Sequence, residues 1–411
     1  MINSVTLLGS SSGRNAGDAA LIAGIIDAVD GAMKRNVKWE IPTIRPSYIR
    51  NNYRGVVEPI SMLPWSGSIK MLGIPTYRSI HRTDMSLILD AILFDRQLYN
   101  PLFNYLSTVS LLLPAAKRKG KIIGCYNVGV GPVNTMPGRE MLRRLCEEMD
   151  FITVRDTDSF NILRDIGVQN PRILVTADAA LTMDGCPESR VDEILAEIGF
   201  SRADQPLAIN ISKYIDTWAG AGSSPLGKEK FVQMYSDALN LALANIKAPV
   251  LFVCTQVHDI PLTREIMNRT KGADKVGIIT NENYNHYEIR GVLGSVGLLF
   301  GMRLHATILA SAGLTPILGL PHQPKVTHYF KTLGLQDRIL TFKDFSVESV
   351  SDHIVKGWND RSLIKATLER NIPISRKKAL VAGELVAALS AGEKIESAIE
   401  RLRPSTLAQA A

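Results

Sequence analysis

Short, wholly apolar runs alternate along this chain with longer stretches in which apolar positions recur every three or four residues. That alternation reads as buried strands separated by amphipathic helices. Residues 5–9 form the first strand, followed by a small-residue loop (10–17) and a periodic helix from 18 to about 29. Residues 86–93 and 121–126 read as strands, 139–149 as a helix and 151–154 as a strand. Asp156 then has the place and side chain of an N-cap for a helix carrying Phe160, Leu163 and Ile166, before a strand at 173–176. Strands separated by helices predict a parallel, doubly wound sheet.

A break follows at 185–206, where Pro187 precedes a charged helix (188–198) and a polar turn (201–205). A second series begins with strand 207–212, helix 228–245 and strand 250–255. It continues with strand 296–300, a helix over 304–312 that Gly313 ends, and strand 316–320. The last stretch, 375–402, is helical by its Ala/Leu/Glu spacing and is expected to pack back on the first domain. At 411 residues the chain is too long for one ordinary core. The predicted architecture is therefore α/β, with two Rossmann-like doubly wound domains facing a cleft (residues 1–195 and 196–374) and a C-terminal helix and tail (375–411). Many nucleotide-sugar glycosyltransferases are built this way.

Composition narrows the function classes. Hydrophobic content of 45% with 21% charged residues is that of a folded protein, not a disordered one. The net charge of +7 is spread along the chain, with basic clusters at 117–119 and 376–378 suited to anionic head groups or phosphorylated substrates, or simply to solvent. No aromatic-interleaved basic patch appears, so nucleic acid is not an expected partner. Cys125, Cys146, Cys186 and Cys254 are scattered without CxxC or metal spacing, as for buried thiols in a reducing compartment. The N-terminus lacks a charged n-region, and no stretch reaches the roughly 18 apolar residues of a membrane helix. The expectation is a cytoplasmic protein that at most touches the inner membrane surface peripherally.

The most informative segment is 301–325, where Arg303 and His305 interrupt an apolar run at a strand-to-helix junction. Open α/β sheets bind ligands at the carboxyl ends of their strands, and a helix N-terminus adds partial positive charge there. The plainer alternative is a salt-bridged arginine and a core histidine. Downstream, Lys325 in the 321–325 segment offers another cation. The first loop, 9–18, is rich in Gly and Ser but is neither GxGxxG nor a Walker loop, and Asp18 has a plain alternative as a helix cap. Arg155 with Asp156 repeats the arginine at a strand end. Residues 256–259 line either a cleft or a surface.

Taken in order, these pieces resemble the polysaccharide pyruvyl transferase family, from Val5 to about Leu335. They are Asn15 to Asp18 (Asn-x-Gly-Asp), Gly129-Val-Gly131-Pro132, Arg155-Asp156 with Ser159 and Leu163, Asp178, Met302 to Ala306, and Pro324-Lys325-Val326. The resemblance implies a B-type glycosyltransferase fold and transfer of the pyruvyl group of phosphoenolpyruvate onto two hydroxyls of a sugar, as a cyclic ketal. It implies that Arg155, Arg303, Leu304 and His305 hold the donor. Within it, His305 is the candidate acid–base group, Arg303 and Arg155 stabilise the departing phosphate, and Asn15, Gly17 and Asp18 serve the acceptor side, with Asp18 the third candidate catalytic group. No metal or cofactor is expected. The acceptor is expected to be polysaccharide or a lipid-diphosphate-linked sugar. One departure stands out: where family members carry three glycines, this chain reads Asp90-Ala-Ile-Leu-Phe-Asp95-Arg96, placing side chains where backbone would approach. The alternatives are a nucleotide-sugar glycosyltransferase and a non-catalytic sugar-binding relative.

Overall fold

The computed structural model describes residues 1–62, 73–89, 93–100, 104–213, 227–321 and 323–407. Contacts divide the chain into two units. Unit 1 comprises Met1–Gly13, Asp18–Met183 and Ser375–Ala411, and unit 2 comprises Arg14–Gly17 and Asp184–Ile374.

Unit 1 alternates strand and helix. The order is β1 (Ser4–Leu8), α1 (Ala16–Met33, its first two residues in unit 2), β2 (Lys38–Thr43), α2 (Pro46–Asn52), β3 (Val56–Ser61), α3 (Gly73–Arg82) and β4 (Met85–Ile88). It continues with α4 (Leu106–Arg118), β5 (Ile122–Val128), α5 (Met136–Glu148), β6 (Phe151–Val154), α6 (Thr157–Asp165) and β7 (Ile173–Val175). The strands form one parallel sheet in the order β3-β2-β1-β4-β5-β6-β7, reversing direction of growth between β1 and β4. Both faces of this sheet are covered, so β4 and β6 are buried throughout. Strands β2 and β3 escape a reading of apolar runs because Glu40 with Pro42, and Glu58 with Pro59, interrupt them. Glu40 is tolerated in the interior because Arg82 donates to both its oxygens and Ser79 Oγ to one (2.6 Å).

Unit 2 repeats the pattern with α7 (Glu188–Glu197), β8 (Leu207–Asn210), α8 (Lys228–Ile246), β9 (Val250–Cys254), α9 (Ile260–Met267) and β10 (Val276–Thr280). Then come α10 (His286–Leu293), β11 (Leu298–Gly301), α11 (Leu304–Ala312), β12 (Ile317–Gly319), α12 (Pro324–Thr332) and α13 (Val347–Asn359). Its parallel sheet runs β10-β9-β8-β11-β12, with the reversal between β8 and β11. The long α14 (Arg361–Ser390) leaves unit 2 after Ile374, and it and α15 (Ile395–Leu407) belong from there to unit 1. There Asn127 Nδ2 donates to the Ala379 carbonyl (2.9 Å), Arg376 Nε to the Leu181 carbonyl (2.9 Å), and the Ile2 amide to Ser390 Oγ (2.9 Å).

The division differs from the sequence boundary at 195/196 in two places. Residues 184–195 group with unit 2 because the Cys186 amide donates to the Tyr287 carbonyl (2.9 Å) and Gly185 packs on Gly291, where a Cβ would come within 2.9 Å of backbone. Residues 14–17 also group with unit 2, for reasons given below. Among the described residues no helix is long and apolar enough to cross a membrane.

Candidate functional site

Arg303 and His305 lie at the carboxyl end of β11, beside the point where the unit 2 sheet changes direction, which is where open α/β sheets take their ligands. Asn210, at the end of β8, fixes the crossing. Its carbonyl accepts from the Met302 amide (3.0 Å), its Oδ1 accepts from the Arg303 amide (3.1 Å), and its Nδ2 donates to the Val253 carbonyl (2.8 Å). Arg303 is the N-cap residue of α11, with Leu304 and His305 in the first turn, and Gly313 closes the helix as its sequence position suggests. The Arg303 side chain donates from Nε and Nη2 to the two oxygens of Asp259 (Nη2–Oδ1 2.8 Å). Asp259 is fully buried and also accepts from the Lys213 amide (3.0 Å). The salt-bridged arginine of the plainer reading is therefore real, and it sits at the carboxyl ends of the strands where the sheet changes direction.

Residues Arg14–Gly17, which belong to unit 2, meet the same place. The Ala16 amide donates to the Thr255 carbonyl (2.8 Å), Asn15 bridges Gln256, the Val257 amide donates to the Arg14 carbonyl (3.1 Å), and Asn281 Nδ2 donates to that same carbonyl (2.8 Å). These main-chain bonds attach residues 14–17 to unit 2. Asn15 Oδ1 accepts from the Gly17 amide (2.9 Å), so Asn15 opens α1 and Asp18 stands in its first turn, not at its cap. Gly17 lies directly on His305: a Cβ there would be 2.3 Å from His305 Cβ and 2.4 Å from Cγ and Nδ1. Asn15, Gly17, Arg303, Leu304 and His305 thus share one end of the unit 2 sheet with the 256–259 loop. Lys325 is exposed in the first turn of α12.

In unit 1, Arg155 follows β6. It pairs through Nη1 with buried Asp178 (3.2 Å) and through Nε with Asp156 (3.5 Å). Its guanidinium covers Gly129, where a Cβ would come within 2.5 Å of Nη2. Asp156 caps α6 by accepting from the Ser159 amide (2.7 Å), as its position predicts. Asp90 and His322 lie outside the described residues. Of the four cysteines, three are buried and Cys186 is partly exposed, and burial pushes the Cys125 and Cys254 thiols up to about 12. Two residues the sequence reading did not assign are Asn210 and, as the partner of Arg303, Asp259. The end of the strand that flanks the sheet reversal was the available signal for Asn210.

The profile of polysaccharide pyruvyl transferases matches residues 15–324, about three quarters of the chain, from Asn15 through the Met302–Ala306 segment and ending at Pro324, one residue before Lys325. The chain belongs to the polysaccharide pyruvyl transferase family. A curated relative of this pyruvyl transferase is the amylovoran biosynthesis protein AmsJ of Erwinia amylovora, 21% identical over 374 residues that cover 81% of this chain and 86% of the relative. Among solved structures, Anabaena Alr3699/HepE in complex with UDP and glucose superposes with a TM-score of 0.59 at 12% identity, covering 95% of this chain and all of its own. A UDP-N-acetylglucosamine 2-epimerase homologue of Listeria monocytogenes gives 0.60 at 11% identity, covering 95% and 97%. Likeness at these identities speaks to fold, and the pyruvyl transferase has parallel sheets in two α/β domains of the B-type glycosyltransferase kind, with a C-terminal helical segment.

Proposed function

We propose that this pyruvyl transferase takes phosphoenolpyruvate as donor and builds a cyclic pyruvate ketal on two hydroxyls of a sugar, in a polysaccharide or a lipid-diphosphate-linked precursor made on the cytoplasmic side. The observation that carries the reading is a guanidinium, Arg303, fixed by Asp259 two residues before His305 at the direction change of the unit 2 sheet. Phosphoenolpyruvate presents a carboxylate and a phosphate around an enol carbon, and a planar guanidinium matches either anion. Lys325 adds a second cation, and Leu304 contributes through its backbone at the start of α11. The relative AmsJ, named for the biosynthesis of amylovoran, is consistent with an acceptor in exopolysaccharide assembly.

In this reading His305 delivers a proton to the donor's methylene carbon. One sugar hydroxyl bonds to the neighbouring carbon, the bond from that carbon to the phosphate oxygen breaks, and the second hydroxyl closes the ketal. Of the two hydroxyl protons, one balances the new methyl group and the other leaves with phosphate. The transfer is redox-neutral, and the reading assigns it no cofactor. Asp18, in the first turn of α1, is the candidate to orient or deprotonate the acceptor hydroxyl.

Calorimetry of phosphoenolpyruvate against a panel of nucleotide sugars tests the donor. Saturable phosphoenolpyruvate binding is expected, weakened by about 2–4 kcal/mol in Arg303→Ala, the usual cost of removing a charge-assisted partner. Preference for a nucleotide sugar would replace this reading with glycosyl transfer. His305→Ala is expected to slow phosphate release in the presence of acceptor by about 10²–10⁴-fold, and unchanged turnover would remove His305 from the chemistry.

A further inference from the structure

We infer that Asp259 is the positioning residue for Arg303, fixing the place and the plane of the guanidinium that meets the donor. The inference rests on the proposed donor. Three observations support it. Asp259 is wholly buried, so its carboxylate has no solvent to neutralise it and depends on its protein partners. Arg303 supplies Nε and Nη2 to its two oxygens, a bidentate arrangement that fixes the plane of the guanidinium as well as its place. The Lys213 amide holds Oδ1 from a third direction (3.0 Å), so the carboxylate itself cannot rotate away.

The position of Asp259 in the chain adds to this. It ends the short loop that leaves β9, and the same loop carries Gln256, which bridges Asn15, and Val257, whose amide holds the Arg14 carbonyl. One loop therefore seats both members of the candidate pair: Asp259 seats Arg303 directly, and the 14–17 segment it anchors seats His305 through Gly17.

A double-mutant cycle on kcat/KM for phosphoenolpyruvate tests this, with thermal midpoints measured alongside. Asp259→Asn keeps the shape and an acceptor but loses the charge that aligns the guanidinium. It is expected to lower kcat/KM on the order of 10²-fold, the scale of an ångström-sized misplacement. Arg303→Ala is expected to cost at least as much, and Asp259→Asn in the Arg303→Ala background to cost nothing further. Penalties that multiply in the double variant, or an Asp259→Asn enzyme with wild-type kcat/KM, would overturn the positioning role while leaving the donor reading intact. A wild-type protein that neither binds nor consumes phosphoenolpyruvate would overturn the donor reading and the role together. Should Asp259→Asn not fold, Arg303→Lys decides the matter. Lysine keeps the charge and an ion pair but cannot make the bidentate contact that fixes a plane, so kcat/KM should fall with the thermal midpoint held, and an unchanged kcat/KM refutes alignment.

Discussion

Replacing Gly17 by alanine should damage the protein although helix propensity argues the reverse. Gly17 is the second residue of α1, and alanine at an ordinary helical position stabilises by roughly 0.5–1 kcal/mol over glycine. Here the added methyl would stand 2.3 Å from His305 Cβ and 2.4 Å from Cγ and Nδ1, far inside contact distance. Neither side yields readily. The α1 start is tied by the Ala16 amide to Thr255 (2.8 Å) and by Asn15 to Gln256, and His305 is buried in the first turn of α11. Overpacking of this kind costs about 1–3 kcal/mol, which exceeds the propensity gain, and under the proposed mechanism a His305 displaced by about an ångström loses on the order of 10²-fold in rate. Gly31, in the same helix with nothing within 4 Å of its would-be Cβ, is the control. Chemical denaturation and phosphate-release kinetics of Gly17→Ala and Gly31→Ala should move in opposite directions in stability, with only Gly17→Ala slowed. A Gly17→Ala enzyme with the stability gain of Gly31→Ala and wild-type kcat would refute the claim that this glycine exists to seat His305.

Two further expectations concern stability. Burial lowers His353 from its ordinary 6.5 to about 4, against the Phe300 ring on β11 (centroids 6.0 Å apart). The folded state thus favours the neutral ring: its contribution is fully present above about pH 6.5, is lost as pH falls towards 4, and amounts to about 2 kcal/mol lost at pH 5. His353→Phe should flatten that part of the pH–stability curve, and an unchanged curve would locate the acid sensitivity elsewhere. Arg155→Ala leaves Asp178 buried without its 3.2 Å partner and should destabilise by about 3–5 kcal/mol, read as a lower thermal midpoint. A midpoint within error of wild type would show that the pair contributes nothing to folding.

What the sequence made legible, and what it hid, follows from how local each signal is. Arg303 and His305 were visible because two polar side chains broke an apolar run at a strand-to-helix junction, a feature contained within a few residues. Helix α11 and its Gly313 end were read to the residue for the same reason. Asp259 lies 44 positions from Arg303, and nothing near it announces that its carboxylate has an arginine to hold. Its segment was noticed only for following a strand. The attachment of residues 14–17 to unit 2 was hidden more deeply, because it is made chiefly by main-chain bonds that carry no side-chain signature. Strands β2 and β3 were lost to Glu40, Pro42, Glu58 and Pro59, residues that deny an apolar run, with Glu40 made acceptable by its contacts with Arg82, Ser79 and Lys38.

The glycines of the two small-residue motifs have a common explanation that spacing alone did not supply. Gly17 lies against the His305 imidazole and Gly129 against the Arg155 guanidinium, each with a would-be Cβ closer than 2.6 Å to the ring or fork. Neither was needed for an unusual backbone angle, since positive φ falls on other glycines such as Gly13 and Gly131. Each is small so that a particular polar side chain can occupy the volume a methyl would take. A motif glycine and its cationic or imidazole neighbour are therefore one structural element written in two places in the chain. Substituting the glycine should be read as a perturbation of the side chain it accommodates, and a gain of bulk at Gly17 or Gly129 predicts the same kind of defect as moving His305 or Arg155.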